Sequence, residues 1–390
     1  MKQSNRILST YTADVSGVCS ALYEMGGMTV MHDASGCNST YNTHDEPRWY
    51  TMPSMVYISG LSETEAILGD DSKLANDLID GVNSLHPRFC AVAGTPIPTM
   101  MGTDLTGIAR LVERRTRTPA FGFKTTGMQS YVVGASMALE AVARRFCPEI
   151  AKDKAGKPSV NLLGVTPLDF SVTGTVEALR ELLAENGYEV RSCWAMGSSW
   201  EELMQAGSAQ VNLVLSSAGL ALAKFFREKY GTPYVVGVPM GETFTAEYLT
   251  QIDKAAETGE NQYPAKGTQV PAEGECVLII GEAVWAASMR RAYESATGKP
   301  AKILCPLELD GETLTSNDLR ITGEREIAAE MAKASLVIAD PIYQYVLPKG
   351  ISFIRFPHEG YSGRIWRKEI PVFVGKDWDI WWTNVSSTSK

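Results

Sequence analysis

Residues 18–50 read VCSALYEMGGMTVMHDASGCNSTYNTHDEPRWY, and the order of features in this stretch decides the fold. Val18 to Met25 spaces its apolar residues as a helix does. Gly26 and Gly27 break that spacing, and Met28 to Met31 is an apolar run of strand length. A long loop follows, holding Cys37 between Gly36 and Asn38. A strand that opens at its carboxyl end into a glycine-flanked loop is a unit of an open α/β sheet, and such sheets place ligands at those ends.

The same rhythm runs through most of the chain. Strand-like runs at Phe89–Ala93, Val160–Val165, Tyr188–Cys193, Val211–Leu215, Pro233–Val238, Cys276–Ile280, Lys302–Cys305, Leu336–Ala339 and Phe353–Phe356 alternate with helix-period segments. That alternation predicts βαβ units, with right-handed crossovers covering parallel sheets on both faces. The fold class is α/β, with three Rossmann-like doubly wound domains. Polar stretches rich in Gly and Pro at 152–158 and 258–274 serve as linkers. They set the expected domains at 1–151, 159–258 and 274–345, with a Trp-rich extension over 346–390. Ser62 to Glu65 and Ser199 to Glu202 match the capping box that starts a helix. Trp366, Trp378, Trp381 and Trp382 in the tail are read as an interface anchor ahead of packing on their own domain.

Composition narrows the function. With 44% hydrophobic and 21% charged residues the chain is an ordinary globular protein, neither disordered nor a coiled coil. A formal charge of −9 argues against nucleic acid or anionic membrane as the main partner. No 18-residue apolar run is present, and the first residues lack the apolar core of a signal peptide, so the expected location is the cytoplasm. Seven cysteines then read as reduced thiols or metal ligands. The turn Gly281-Glu282-Ala283 puts a carboxylate where a dinucleotide fold needs glycines. Gly156-Lys157 and Gly298-Lys299 lack the rest of a phosphate-cradling loop. Four histidines without H-E-x-x-H, and no C-x-x-C, argue against a zinc hydrolase or zinc ribbon.

The run Met31 to Cys37 (MHDASGC) resembles the H-G-x-x-G-C loop of nitrogenase component 1 proteins, which ends in a cluster-ligating cysteine. Leu68 to Leu74, Phe89 to Asp104, Gly122 to Tyr131, Asn161 to Asp169, Lys229 to Tyr234, Cys276 to Val284 and Leu336 to Asp340 continue the resemblance in unbroken order. It implies three Rossmann-like domains and an iron–sulfur cluster, 4Fe-4S or P-cluster-like, at a subunit interface. It also implies a separate ATP-hydrolysing iron–sulfur protein that delivers electrons, and a paralogous subunit (a heterotetramer) or a second copy (a homodimer). The activity implied is that of an oxidoreductase acting on a small molecule. The alternatives are a cofactor-assembly scaffold, a tetrapyrrole reductive cyclase-type component or a cluster-less supporting subunit.

Departures from the family pattern bear on the site. The three interface cysteines of the family fall near Thr12, at Cys37 and at Thr95, so only Cys37 is kept. Cys37 is the expected metal and cofactor ligand, and Cys19, two helical turns past the first position, is the second candidate. Cys19 has two readings: plain packing, or a thiolate favoured near a helix N-terminus. By the resemblance, Ser216 stands where the nitrogen-fixing α-subunit has a cysteine, which favours a β-like subunit or a relative with a simpler cluster. Cys90, Cys147, Cys193, Cys276 and Cys305 read as core residues. His32 reads as a strand-end histidine satisfied by backbone ahead of a proton donor, Asp33 as a turn former, and Thr95, Thr99 and Thr103 as loop and capping residues.

Overall fold

The computed structural model describes residues 5–36, 38, 41, 45–150, 158–267 and 276–388. Cys37 lies outside the described residues, as do Gly156 and Lys157.

The first layer contains α1 (Asp14–Leu22), β1 (Met28–His32), β2 (Met55–Ile58), α2 (Glu63–Leu68), α3 (Ser72–Leu85), β3 (Cys90–Gly94), α4 (Pro96–Met101), α5 (Leu105–Thr116), β4 (Ala120–Phe123) and α6 (Tyr131–Phe146). The second contains β5 (Ser159–Leu163), α7 (Pro167–Phe170), α8 (Thr175–Glu185), β6 (Glu189–Cys193), α9 (Trp200–Met204), β7 (Val211–Val214), α10 (Leu220–Tyr230), β8 (Tyr234–Val236) and α11 (Glu242–Thr258). The third contains β9 (Val277–Ile280), α12 (Ala283–Thr297), β10 (Ala301–Cys305), β11 (Leu319–Arg320), α13 (Glu324–Met331), β12 (Leu336–Ala339) and β13 (Ser352–Arg355), followed by α14 (Glu359–Ser362) and α15 (Lys376–Thr388).

Each layer is one sheet, with orders β2-β1-β3-β4, β6-β5-β7-β8 and β11-β10-β9-β12-β13. Every pairing in them is parallel. Strand order reverses between β1 and β3, between β5 and β7, and between β9 and β12, which puts one ligand-accepting crevice at the carboxyl edge of each sheet. The central strands β1, β3 and β5 are buried at every residue, as expected when crossover helices cover both faces.

Both capping boxes form: Ser62 and Ser199 accept from the backbone of Glu65 and Glu202, whose side chains reach back. The first helix starts four residues earlier than its apolar spacing suggests. The Asp14 carboxylate takes the amides of Val15, Thr126 and Gly127 at 2.8–2.9 Å, which pins the start of α1. Helices α1 and α6 then cross backbone to backbone. A Cβ on Gly17 would fall on the Tyr131 carbonyl, and one on Gly134 on the Asp14 carbonyl.

Two expectations need correction. The third sheet does not stop at residue 345, because β13 pairs in register with β12 and forms its edge. The tryptophans of the tail pack on the chain itself. Trp378 is fully buried with its Nε1 on the sulfur of Met289, Trp382 stacks on Trp378, and Trp381 meets Phe356. Residues 376–382 repeat their aromatics at helical spacing, so one face of α15 closes over the core that α12 begins. Among the described residues, no helix is long and apolar enough to cross a membrane.

Candidate functional site

The first crevice lies where β1 and β3 end. His32 closes β1, and its ring is almost wholly buried. Nδ1 sits 2.8 Å from the Ser59 hydroxyl and Nε2 sits 4.0 Å from Asp71, without a hydrogen-bond partner. Burial holds the ring pKa below its ordinary value against the pull of Asp71 and Asp33, so the imidazole is neutral at pH 7. Asp33 is a turn former. Its carboxylate takes the Ala34 amide at 2.8 Å and the Asn38 side chain at 2.7 Å. Ser35 and Gly36 are exposed, so the described residues leading into Cys37 lie at the surface.

Thr12 and Thr95 hold the backbone together. Thr12 donates to the Gly360 carbonyl at 2.6 Å, and Thr95 donates to the His32 carbonyl at 2.9 Å. Thr99 bonds back to the Thr95 carbonyl and Thr103 to Asp71, as expected of loop and helix-start residues.

Cys19 sits in the second turn of α1, not the first, and its residue is fully buried. Burial and the Glu46 carboxylate drive its thiol far above the ordinary range, so it stays protonated in the isolated chain. The described residues do not bring Cys19 together with a second thiol, nor do they gather three metal-binding side chains at any point. Cys90, Cys147 and Cys193 are buried, with thiols pushed up to about 12 by desolvation, and Cys305 is buried likewise. These four are packing residues. Cys276, just ahead of β9, is half-buried.

Beside Cys19 lies a network that no local sequence pattern announces. Glu46 accepts from Arg48 Nε at 2.6 Å, Ser20 at 3.0 Å and Tyr41 at 3.1 Å. The Arg48 guanidinium also reaches Glu24 at 2.9 Å, the Ser20 carbonyl at 2.8 Å and the Ala195 carbonyl at 3.0 Å. Ala195 has φ of 94°, a conformation costly for a residue with a Cβ, and Glu24 holds the nearby Gly197 amide at 2.8 Å. Asp45 accepts from Tyr11 at 2.7 Å and from Arg367 through its carbonyl at 3.1 Å. Residues 45–48 thus join the first layer to the second layer and to the C-terminal segment.

The crevices of the second and third sheets close on each other. Ser216 donates to the Gly164 carbonyl at 2.9 Å, and Ser217 hydrogen-bonds to Glu282. Glu282 caps α12 through the Val284 and Trp285 amides at 3.2 and 2.9 Å, so its carboxylate occupies the place a phosphate takes in a dinucleotide fold. Asp169 receives the Tyr131 hydroxyl and lies 3.5 Å from His358 Nε2.

The first crevice, by contrast, is rimmed by exposed apolar side chains. Ile67 and Leu68 of α2, Met100 of α4 and Met128 are each more than 70% exposed. A Cβ on Gly127 would touch Pro96 at the start of α4, which places Met128 beside that helix.

Three comparisons bear on this geometry. The chain is 32% identical over 159 residues to a light-independent protochlorophyllide reductase subunit of Nostoc punctiforme, covering 40% of this chain and 30% of that protein. It is 27% identical over 191 residues to the nitrogenase iron-molybdenum cofactor biosynthesis protein NifE of Methanosarcina barkeri, covering 46% of this chain and 40% of that one. The matches thus span less than half the length of these curated relatives. The solved structure of nitrogenase Cp1 at pH 6.5 superimposes with a TM-score of 0.67 at 15% identity, over 93% of this chain and 89% of that one, so the fold is shared. Residues 15–304 match the model of the nitrogenase component 1 type oxidoreductases, and the chain belongs to that family.

Proposed function

We propose that this chain is a β-like subunit of a nitrogenase-like reductase. It contributes Cys37 to an iron–sulfur cluster shared with a paralogous subunit and receives electrons from a separate ATP-hydrolysing iron–sulfur protein. The observation that carries the reading is the first crevice. Asp33 holds the Asn38 side chain, Ser35 and Gly36 lie exposed just before Cys37, Arg48 and Glu46 anchor residues 45–48, and the crevice is rimmed by apolar residues suited to a partner protein. The described residues of one chain do not fit a complete cluster. Thr12 and Thr95 are committed to backbone carbonyls, and Cys19 is a buried, protonated thiol. A normal [4Fe-4S] cluster takes four thiolates, so the remaining ligands come from a partner subunit. Any bound cluster would supply one-electron chemistry. This chain's part is to hold one edge of it and exclude water. A scaffold role in cofactor assembly is the second reading, favoured by the likeness to the cofactor-biosynthesis protein.

The test is anaerobic iron and acid-labile sulfide analysis of Cys37→Ala in complex with its partner. Bound iron is expected to fall by at least half with the circular dichroism spectrum unchanged. Unchanged iron removes Cys37 from the ligand set. Cys19→Ser is expected to keep the cluster, because its thiol packs inside α1. Loss of iron in that variant would favour a symmetric homodimer with two cysteines from each chain.

The isolated chain is also expected to hydrolyse no ATP. Gly298 is the left-handed cap at the carboxyl end of α12, with Lys299 after it, so this pair follows a helix where a phosphate loop must follow a strand. ATPase activity that co-purifies with the pure chain and vanishes on Lys299→Ala would contradict this.

A further inference from the structure

The geometry points to a peptide-binding cleft along β4: we propose that an acidic extended segment of a partner polypeptide adds there as a fifth strand of the first sheet. Among the described residues β4 is an edge strand, paired only with β3. The Pro119 carbonyl accepts from the Cys90 amide at 2.9 Å, so by alternation the amide and carbonyl of Gly122 point away from β3. That free edge forms the floor of a cleft of about 570 Å³, walled by Thr106 and Arg110 of α5 and by Met137 and Ala141 of α6. An unpaired strand edge recessed between two helices fits a single extended chain, with main-chain hydrogen bonds supplying affinity and wall side chains supplying preference.

Charge identifies the occupant. Arg110, Arg114 and Lys124 are exposed and, among the described residues, form no ion pair. Arg144 and Arg145 lie alongside, paired to Glu140 at 2.8 Å and Glu113 at 2.7 Å. Arg110 lines both this cleft and an adjoining one that also holds Arg114 and Arg145. Such a basic strip stands out on a chain of formal charge −9. It selects acidic segments and repels a second copy of this chain, whose same edge would bring the same cations. Nucleic acid is disfavoured by the overall charge and by the strand-sized cleft.

The test uses the full chain and a fluorescein-labelled eight-residue peptide of alternating valine and glutamate, followed by anisotropy. Saturable binding is expected that falls as salt rises and weakens at least about tenfold in Arg110→Glu/Lys124→Glu. Both positions are exposed, so that variant is expected to keep its circular dichroism spectrum. Methylating alternate backbone nitrogens of the peptide should abolish binding in one of the two registers, which tests strand addition apart from charge. Failure of the glutamate peptide to bind overturns the proposal. So does equal binding of the corresponding lysine peptide, indifference to both methylated registers, or equal competition by single-stranded DNA. None of these outcomes bears on the role given to Cys37.

Discussion

Gly134→Ala is expected to lower the stability of the first layer by roughly 3 kcal/mol, the upper part of the range for overpacking a tight core. The reason lies in the crossing of α1 and α6. An added methyl at Gly134 meets the Asp14 carbonyl, and one at Gly17 meets the Tyr131 carbonyl, so the obstacle in each case is backbone and cannot rotate aside. Relief would require the helices to separate, yet Asp14 also holds the amides of Thr126 and Gly127. The layer therefore loses packing and a buried polar anchor together. Urea unfolding of the first transition reads the effect as a lower midpoint with an unchanged slope. Gly17→Ala should behave alike. A midpoint equal to the parent chain in both variants would mean that the helices do not cross this closely.

Arg48→Met is expected to cost about 3–5 kcal/mol, the cost of stranding a buried charge by removing its partner. Arg48 and Glu46 have side chains only 4% and 2% exposed, and Glu24 is nearly as sheltered at 12%. Without the guanidinium, two carboxylates share a poorly solvated space beside Cys19, and the strained Ala195 turn loses the hydrogen bond to its carbonyl. Arg48→Met/Glu46→Gln should recover part of the loss, because the amide needs no counter-ion. Arg144→Met, whose ion pair is half exposed, should shift the midpoint little. Equal effects of Arg48→Met and Arg144→Met would show that the network is solvated and contributes no more than a surface pair.

Much of the fold is legible because parallel strands buried on both faces are written as continuous apolar runs. β1, β3, β5, β7, β9 and β12 are all found this way. β2 escapes because only one of its four residues is buried, which blurs the run, and β11 is only two residues long. β4 also escapes, because three of its four residues are only half-buried. The strand that leads toward Cys37 is legible as an apolar run, while Cys37 itself lies outside the described residues. The Arg48 network is not, since its hydrogen bonds span 24 and 147 residues of sequence and no local pattern encodes them. Glu282 reads as an obstacle to phosphate, while its positive role as a cap for α12 and a partner of Ser217 depends on the packing of two sheets. The tail tryptophans mislead in the opposite direction. A cluster of aromatics has the same composition at an interface and in a core, and only the position of α15 against α12 separates the two.

The claim that the cluster lies between subunits is tested most directly by measuring iron and mass on the same particles. The chain, purified anaerobically with the proposed paralogous subunit, is passed through size exclusion with light scattering, and each fraction is assayed for iron and acid-labile sulfide. Iron is expected only in species of two or more chains, and dissociating those species under anaerobic conditions should release it. A monodisperse monomer that keeps a full cluster would contradict the shared site.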